Sequence, residues 1–150
     1  MNDPIAILKR DHREVSRDLA TLSSSKRPTA TRRRVTEKVA SSLELHMQIE
    51  EELVYPLIAE RVGQEPEQEA ETEHRLAREG VKNLVELVDQ PGFGAAVAML
   101  TAGIKHHVKE EESEVFPKLK ARLTRDELAE LGDAIVDAKT GSRDRASKGA

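Results

Sequence analysis

Hydrophobic residues recur along this chain at steps of three and four, the mark of helices with one buried face. The first stripe follows Asp3-Pro4, a capping acid with proline at the first helical position. It reads Ile5, Leu8, His12, Val15, Leu19, Leu22. The polar stretch SSSKRPTAT interrupts it, and a second stripe follows: Val35, Val39, Ser42, His46, Ile49, Leu53, with a helix end expected near Gly63. A third helix carries Ala70, His74, Ala77, Val81, Leu84, Val88. After the turn DQPGFG, a fourth carries Val97, Leu100, Ile104, His107, Glu111, Val115, Leu119. Thr124 with Glu127 three places on predicts a capping box opening a short fifth helix that ends near Lys139. Nothing after it has an apolar face to bury, so residues 139–150 read as a disordered tail behind a domain at 1–138. Short connections favour antiparallel neighbours. The expected fold is all-α, an up-down-up-down four-helix bundle with a short C-terminal fifth helix.

Four of the five histidines lie on these stripes, one per helix: His12, His46, His74 and His107. Only His106 lies off, about 100° around the helix from His107. An ordinary bundle carries Leu or Val at such positions, so the imidazoles need partners. The composition narrows what those partners are. The chain has 150 residues with 37% hydrophobic and 2% aromatic, so its core is aliphatic. It has no cysteine, which leaves His, carboxylate and water as metal ligands. A net charge of −4 argues against nucleic acid as a partner. One basic cluster, Lys26-Arg27 with Arg32-Arg33-Arg34, reads as a solvated loop and helix start. The start of the chain becomes charged too early for a signal peptide, and no apolar run is long enough to span a membrane. A soluble cytoplasmic protein without a membrane partner is expected.

The two halves repeat. HMQIEEELVYP at 46–56 and HVKEEESEVFP at 107–117 share His at the first place, Glu at the fifth and sixth, Val at the ninth, an aromatic at the tenth and Pro at the last. KRDHREV and ETEHRLA each place an acid before His and Arg after it. His12 and His46 are 34 residues apart, and His74 and His107 are 33 apart. Two helical hairpins therefore each present one His and then His-x-x-x-Glu. Packed about a pseudo-twofold axis, they bring His12, His46, Glu50, His74, His107 and Glu111 to one region.

A helical His and Glu four apart stand about 40° apart around the axis, so both can face one core. Two core carboxylates repel unless cations lie between them. Two metal ions, each with two histidines and with Glu50 and Glu111 bridging, remove that cost. Imidazole with carboxylate suits iron, manganese or zinc, and carboxylate-bridged di-iron bundles make iron the first choice. Only Glu50 and Glu111 of their glutamate runs are expected to face inward. Tyr55 and Phe116 read as equivalent packing residues, Val54 and Val115 as the apolar wall beyond the glutamates, and Pro56 and Pro117 as sites where the helices kink or end.

From His12 to Pro117 the sequence resembles the hemerythrin-like HHE cation-binding domains. The resemblance implies a non-haem centre of two iron ions with an oxo or hydroxo bridge. His12, His46, Glu50, His74, His107 and Glu111 fall at the family's ligand positions. The oxygen-carrying hemerythrins have a further histidine where this chain has Arg78, and an aspartate one residue beyond the position of Glu111. A site without that fifth histidine is more symmetric and leaves a free position on each iron. The implied function is binding of, or reaction with, a small ligand (H2O2, NO or O2), including catalase-like peroxide disproportionation or a stress response. The alternatives are a non-catalytic oxygen or iron sensor or a metal-dependent binding module, and a metal-free interaction bundle.

Overall fold

In the computed structural model, which describes residues 2–24 and 27–148, with side chains to residue 142, Asp3 caps the first helix as expected. Its carboxylate accepts from the backbone N–H groups of Ile5 and Ala6, ahead of α1 (Pro4–Leu22). Next come α2 (Thr29–Ile49) and α3 (Tyr55–Arg61), joined by a π-helical turn at Glu50–Val54. α4 (Gln64–Glu86) leads to α5 (Phe93–Glu110), which joins α6 (Phe116–Arg122) through a second π-helical turn at Glu111–Val115. The last helix is α7 (Arg125–Lys148). The chain forms a bundle of helices, with no strand among the described residues.

The two π turns replace the kinks expected at Pro56 and Pro117. A proline inside an α-helix lacks the N–H that would return to the carbonyl four residues back, and its ring collides with that carbonyl. Here the preceding residue bonds five back instead: Tyr55 N–H donates to the Glu50 carbonyl, and Phe116 N–H to the Glu111 carbonyl. The wider turn accommodates the proline and the helix continues past it. Single π turns of this kind are frequent at functional sites.

Hydrogen bonds and ion pairs between helices record which faces meet. Asp11 with His46 and Asp18 with Lys38 tie α1 to α2. Glu44 with Arg78 and Glu50 with His74 tie α2 and its π turn to α4. Glu73 with His107 ties α4 to α5. Of the basic cluster, Arg33 pairs with Asp89 beyond the end of α4, and Arg32 donates to Thr29; Lys26 lies outside the described residues.

The core divides in two. Val15, Leu19, Val39, Leu43, Leu84, Val97 and Leu100 belong to one cluster, and Leu8, Ile49, Val54, Tyr55, Ile58, Phe116 and Leu119 to the other. Along α1 and α2 the boundary between them falls at His12 and at His46-Glu50, so a layer of buried polar side chains separates two aliphatic cores. α7 adds Leu131 and Ile135 to the second cluster.

The capping box at Thr124 forms in both directions: Glu127 N–H donates to Thr124 Oγ1 at 3.1 Å, and Thr124 N–H to Glu127 Oε1 at 2.9 Å. The helix it opens is longer than the sequence pattern predicts. It passes Lys139, the expected start of a disordered tail, and runs to Lys148; residues 149–150 lie outside the described residues.

Two glycines give a paired prediction. Gly103, on the exposed side of α5, has open space where a Cβ would stand. A Cβ on Gly132 of α7 would overlap the Asn2 carbonyl, beside the Asn2–Asp133 hydrogen bond. Gly103→Ala is therefore expected to stabilise by about 0.5–1 kcal/mol through helix propensity. Gly132→Ala is expected to destabilise by about 1–2 kcal/mol, because displacing the start of the chain outweighs that gain. Urea midpoints moving in the same direction for both would contradict the packing of α7 on the N-terminus.

Candidate metal centre

All six side chains singled out by the repeat are buried and converge in the polar layer. Each glutamate contacts one histidine from each hairpin. Glu50 Oε1 lies 3.0 Å from His46 Nε2 and 3.1 Å from His74 Nε2. Glu111 Oε1 lies 3.3 Å from His12 Nε2 and 3.2 Å from His107 Nε2. His12, His46, Glu50 and Glu111 form one group whose candidate ligand atoms all lie within 4.8 Å of one another, and Glu50, His74 and His107 form another. Each group can hold a metal ion, and Glu50 belongs to both.

Short distances do not mean that these atoms satisfy one another. His12 Nε2, His46 Nε2, Glu50 Oε2 and Glu111 Oε1 are buried without a hydrogen-bond partner of acceptable geometry. A buried unpaired polar atom costs about 1–3 kcal/mol, and four in one layer is an arrangement that a cation relieves. Two imidazole nitrogens and two carboxylate oxygens form a donor set suited to iron, manganese or zinc.

The outer nitrogens are all occupied. His12 Nδ1 lies 2.7 Å from Glu112, His46 Nδ1 2.8 Å from Asp11, His74 Nδ1 2.8 Å from Glu51, and His107 Nδ1 2.7 Å from Glu73. A carboxylate at Nδ1 orients the ring and turns the Nε2 lone pair inward, as metal-bound histidines require. The acid before the first histidine of each hairpin serves the second: Asp11 holds His46 and Glu73 holds His107. The acid after each glutamate crosses to the other hairpin, Glu51 to His74 and Glu112 to His12. By periodicity Glu51 and Glu112 belong to a solvated face, and Asp11 and Glu73 are only marks of the repeat, so none of the four is expected to hold a histidine. The acid-His pairs were the available signal. Two cations brace this outer ring: Arg78 donates to Glu51 and Glu44, and Lys139 of α7 donates to Asp11.

Tyr55 corrects a second expectation. It is fully buried, and its hydroxyl lies among the ligand atoms: it donates to Glu111 Oε2 at 3.0 Å and stands 2.7 Å from His74 Nε2. In an α-helix the residue facing Glu50 from one turn on would be Val54. The π turn inserts one residue, a rotation of roughly 100°, and brings Tyr55 over the site instead. Phe116 holds the equivalent place in the other half, where its ring stacks on His12 at 6.1 Å between centroids. The pseudo-twofold symmetry is thus broken by one oxygen.

The charges interlock. Burial disfavours a charged imidazole, but the Glu50 carboxylate and the hydrogen bond to Asp11 outweigh it and hold His46 up at about 10. Burial likewise opposes charge on His107, yet Glu111, with hydrogen bonds to Glu50 and Glu73, raises it to about 12. Burial would raise the Glu50 carboxyl, but the His46 charge and the close approach of the His107, His46 and His74 imidazoles hold it well below the usual range. Tyr55 is pushed well above its ordinary value by burial and by the two glutamate charges.

Metal-free protein therefore carries protons where cations can sit. The unfolded chain gives up its imidazole protons near pH 6.5. The stabilisation from His46 and His107 is complete below that pH and is lost as pH rises towards about 10 and about 12. Glu50 acts in the opposite sense: its contribution is present above pH 4.5 and is lost as acid protonates it. The urea midpoint of metal-free protein is expected to peak between these limits and to fall from pH 6.5 to pH 9. A rise over that interval would contradict the assigned charges.

A cavity of about 20 Å³ adjoins the four histidines, with Val15, Leu43, Met47, Ala77 and Ile104 among its walls. That is room for about one water-sized molecule. Among the described residues no helix is long and apolar enough to cross a membrane. No curated protein and no solved structure matches the chain. Residues 3–119 match the family model described as the hemerythrin HHE cation binding domain, a span that contains all six converging side chains. The chain belongs to the hemerythrin HHE cation-binding domain family.

Proposed function

We propose that His12, His46, Glu50, His74, His107 and Glu111 hold two non-haem iron ions, and that the protein binds or reacts with a small ligand such as H2O2, NO or O2. The carrying observation is the double arrangement of the histidines: four Nε2 atoms turned inward on two shared carboxylates, and four Nδ1 atoms each fixed by an outer one. Charge is consistent with bound cations: Glu50, Glu111, Asp11, Glu51, Glu73 and Glu112 outnumber Arg78 and Lys139, and Arg78 is shared with Glu44. The helix contacts support the up-down-up-down topology. Residue numbers rise along one partner as they fall along the other, Asp11 and Asp18 meeting His46 and Lys38.

The chain's own residues define what such a centre can do. The cavity beside the four histidines has room for about one water-sized molecule, which limits direct access to small ligands, and Val15, Leu43, Met47, Ala77 and Ile104 form the apolar part of its wall. Tyr55 supplies a further oxygen donor on the His74–His107 side, while Phe116 leaves the His12–His46 side without one. A metal ion held by His74 and His107 would have the Tyr55 oxygen beside it, and one held by His12 and His46 would not. Bound iron supplies redox chemistry on O–O or N–O bonds, which the polypeptide lacks.

Metal analysis of purified protein, expected to give about two iron ions per chain, tests this reading, and absence of stoichiometric metal would refute it. Tyr55 is the only tyrosine in the chain. A phenolate-to-iron band in the visible spectrum of ferric protein, lost in Tyr55→Phe with iron content retained, is the expected result. An unchanged spectrum would show that Tyr55 does not reach the metal. Oxygen evolution from peroxide by iron-loaded protein, absent in His74→Ala, would place the function with enzymes. Iron-dependent stability without turnover would place it with sensors and binding modules.

A further inference from the structure

Outside the buried centre lies a second constellation of metal-binding type. His106, on the exposed side of α5, places Nε2 3.3 Å from Glu73 Oε2 and 3.2 Å from Glu110 Oε1. These three residues offer ligand atoms all within 4.8 Å of one another. Glu73 belongs to both constellations: its other oxygen holds His107 Nδ1 at 2.7 Å. Beside them opens a cleft of about 90 Å³ lined by Glu69, Glu73, Glu110, Glu114 and Glu111, with Lys118 as its basic residue. Glu111 is only 2% exposed, and its Oε1 is one of the buried atoms without a hydrogen-bond partner. The cleft therefore runs from exposed acids to an inner carboxylate, one of whose oxygens lacks a hydrogen-bond partner while the other accepts from Tyr55.

The internal repeat shows that this face is not demanded by the scaffold. By the correspondence that pairs His46 with His107, the counterparts of His106, Glu110 and Glu114 are Leu45, Ile49 and Leu53. The counterpart of Glu69, by the pairing of His12 with His74, is Ile7. Those four aliphatic residues pack in the core cluster that α7 completes. Exposure explains why the uncovered half is polar. It does not explain why the polar residues are all acids and one histidine, gathered where like charges repel.

We propose that His106, Glu73 and Glu110 form a surface site for a divalent cation, and that this site loads the buried centre through the acidic cleft. The proposal rests on the two-metal reading of the centre. The outer site captures the cation with one imidazole and two carboxylates. The cleft's negative field concentrates it, and Glu73 and Glu111 connect the cleft to the inner ligands. No bond of the protein is made or broken; bound water is exchanged for side-chain ligands.

Cobalt(II), whose visible absorption reports its coordination, is the probe for metal-free protein at low micromolar metal. The double variant His106→Gln/Glu110→Gln, neither residue belonging to the buried set, is expected to fill the centre about tenfold more slowly, the low end of what a focused charge supplies. It should reach the same two-ion endpoint with the same thermal midpoint. Wild type should take a third, weaker ion that the double variant lacks. Lys118→Glu should load faster than wild type, a gain that damage to the fold would not produce. Equal loading rates in wild type and double variant overturn the proposal, as does an endpoint below two ions in the double variant. Failure of wild type to take up any metal would instead refute the two-metal reading of the centre.

Discussion

Two equivalents of ferrous iron, added anaerobically to metal-free protein, are expected to raise its thermal midpoint by on the order of 15–30 °C. A ligand present at a thousand times its dissociation constant stabilises by about 4 kcal/mol, so two ions contribute about 8. A domain near this size gains about 2–4 °C per kcal/mol. The source of the gain is visible in the polar layer. Without metal, four buried ligand atoms lack partners and two imidazoles hold protons against the cost of burial. Metal replaces those protons, so loading at pH 7 should release about two of them per chain, measurable with an indicator dye. Chelation should return the midpoint to its starting value. A shift of only a few degrees, or loading without proton release, would mean that these residues do not form the metal centre.

Glu50→Gln should have the next largest effect. Glu50 is fully buried and its Oε1 touches one histidine from each hairpin, so it is the residue common to both ligand groups. The amide keeps the volume and removes the charge. Metal content should fall below two ions per chain, and most of the metal-dependent stabilisation should disappear. The metal-free variant should also lose stability near neutral pH, because the His46 charge keeps Asp11 but loses the buried carboxylate 3.0 Å from its Nε2. Glu52→Gln, two residues away and exposed, should change neither quantity, since among the described residues its hydrogen bond is with Gln48 on the helix surface. Iron analysis with urea unfolding separates the outcomes. Two ions retained in Glu50→Gln would show that this carboxylate does not bridge.

The contrast between Glu50 and Glu51 shows what is legible in a sequence of this kind. Glu50 falls on the apolar stripe of its helix, where a charged residue demands a partner, and the repeat gives it a counterpart at the same offset in Glu111. Glu51 falls off the stripe, where glutamate is unremarkable. Its partners, His74 and Arg78, are both on α4. No periodicity within α2 reports on them. Asp11 and Lys139 are more distant still, 128 residues apart in sequence and joined by a 2.6 Å hydrogen bond.

Tyr55 departs from its expected packing role for a different reason. The offset from Glu50 to Tyr55 puts the two on different faces only while the helix keeps 3.6 residues per turn. Pro56 was the available sign that it does not, and its meaning is a widened turn rather than a kink.

By itself the sequence determined the four striped helical faces, the two-hairpin repeat, and the six side chains that lie buried between the two cores, but not the π turns or the length of α7. Each of the first three follows from local periodicity together with the cost of burying an unpaired polar group. The tertiary structure alone decided which carboxylate holds which histidine, which half of the site receives a tyrosine oxygen, and which face α7 covers. These depend on the packing of separate helices and on a local change of helical pitch. Neither is encoded in the spacing along one helix, because that spacing specifies a face and not the neighbour across from it.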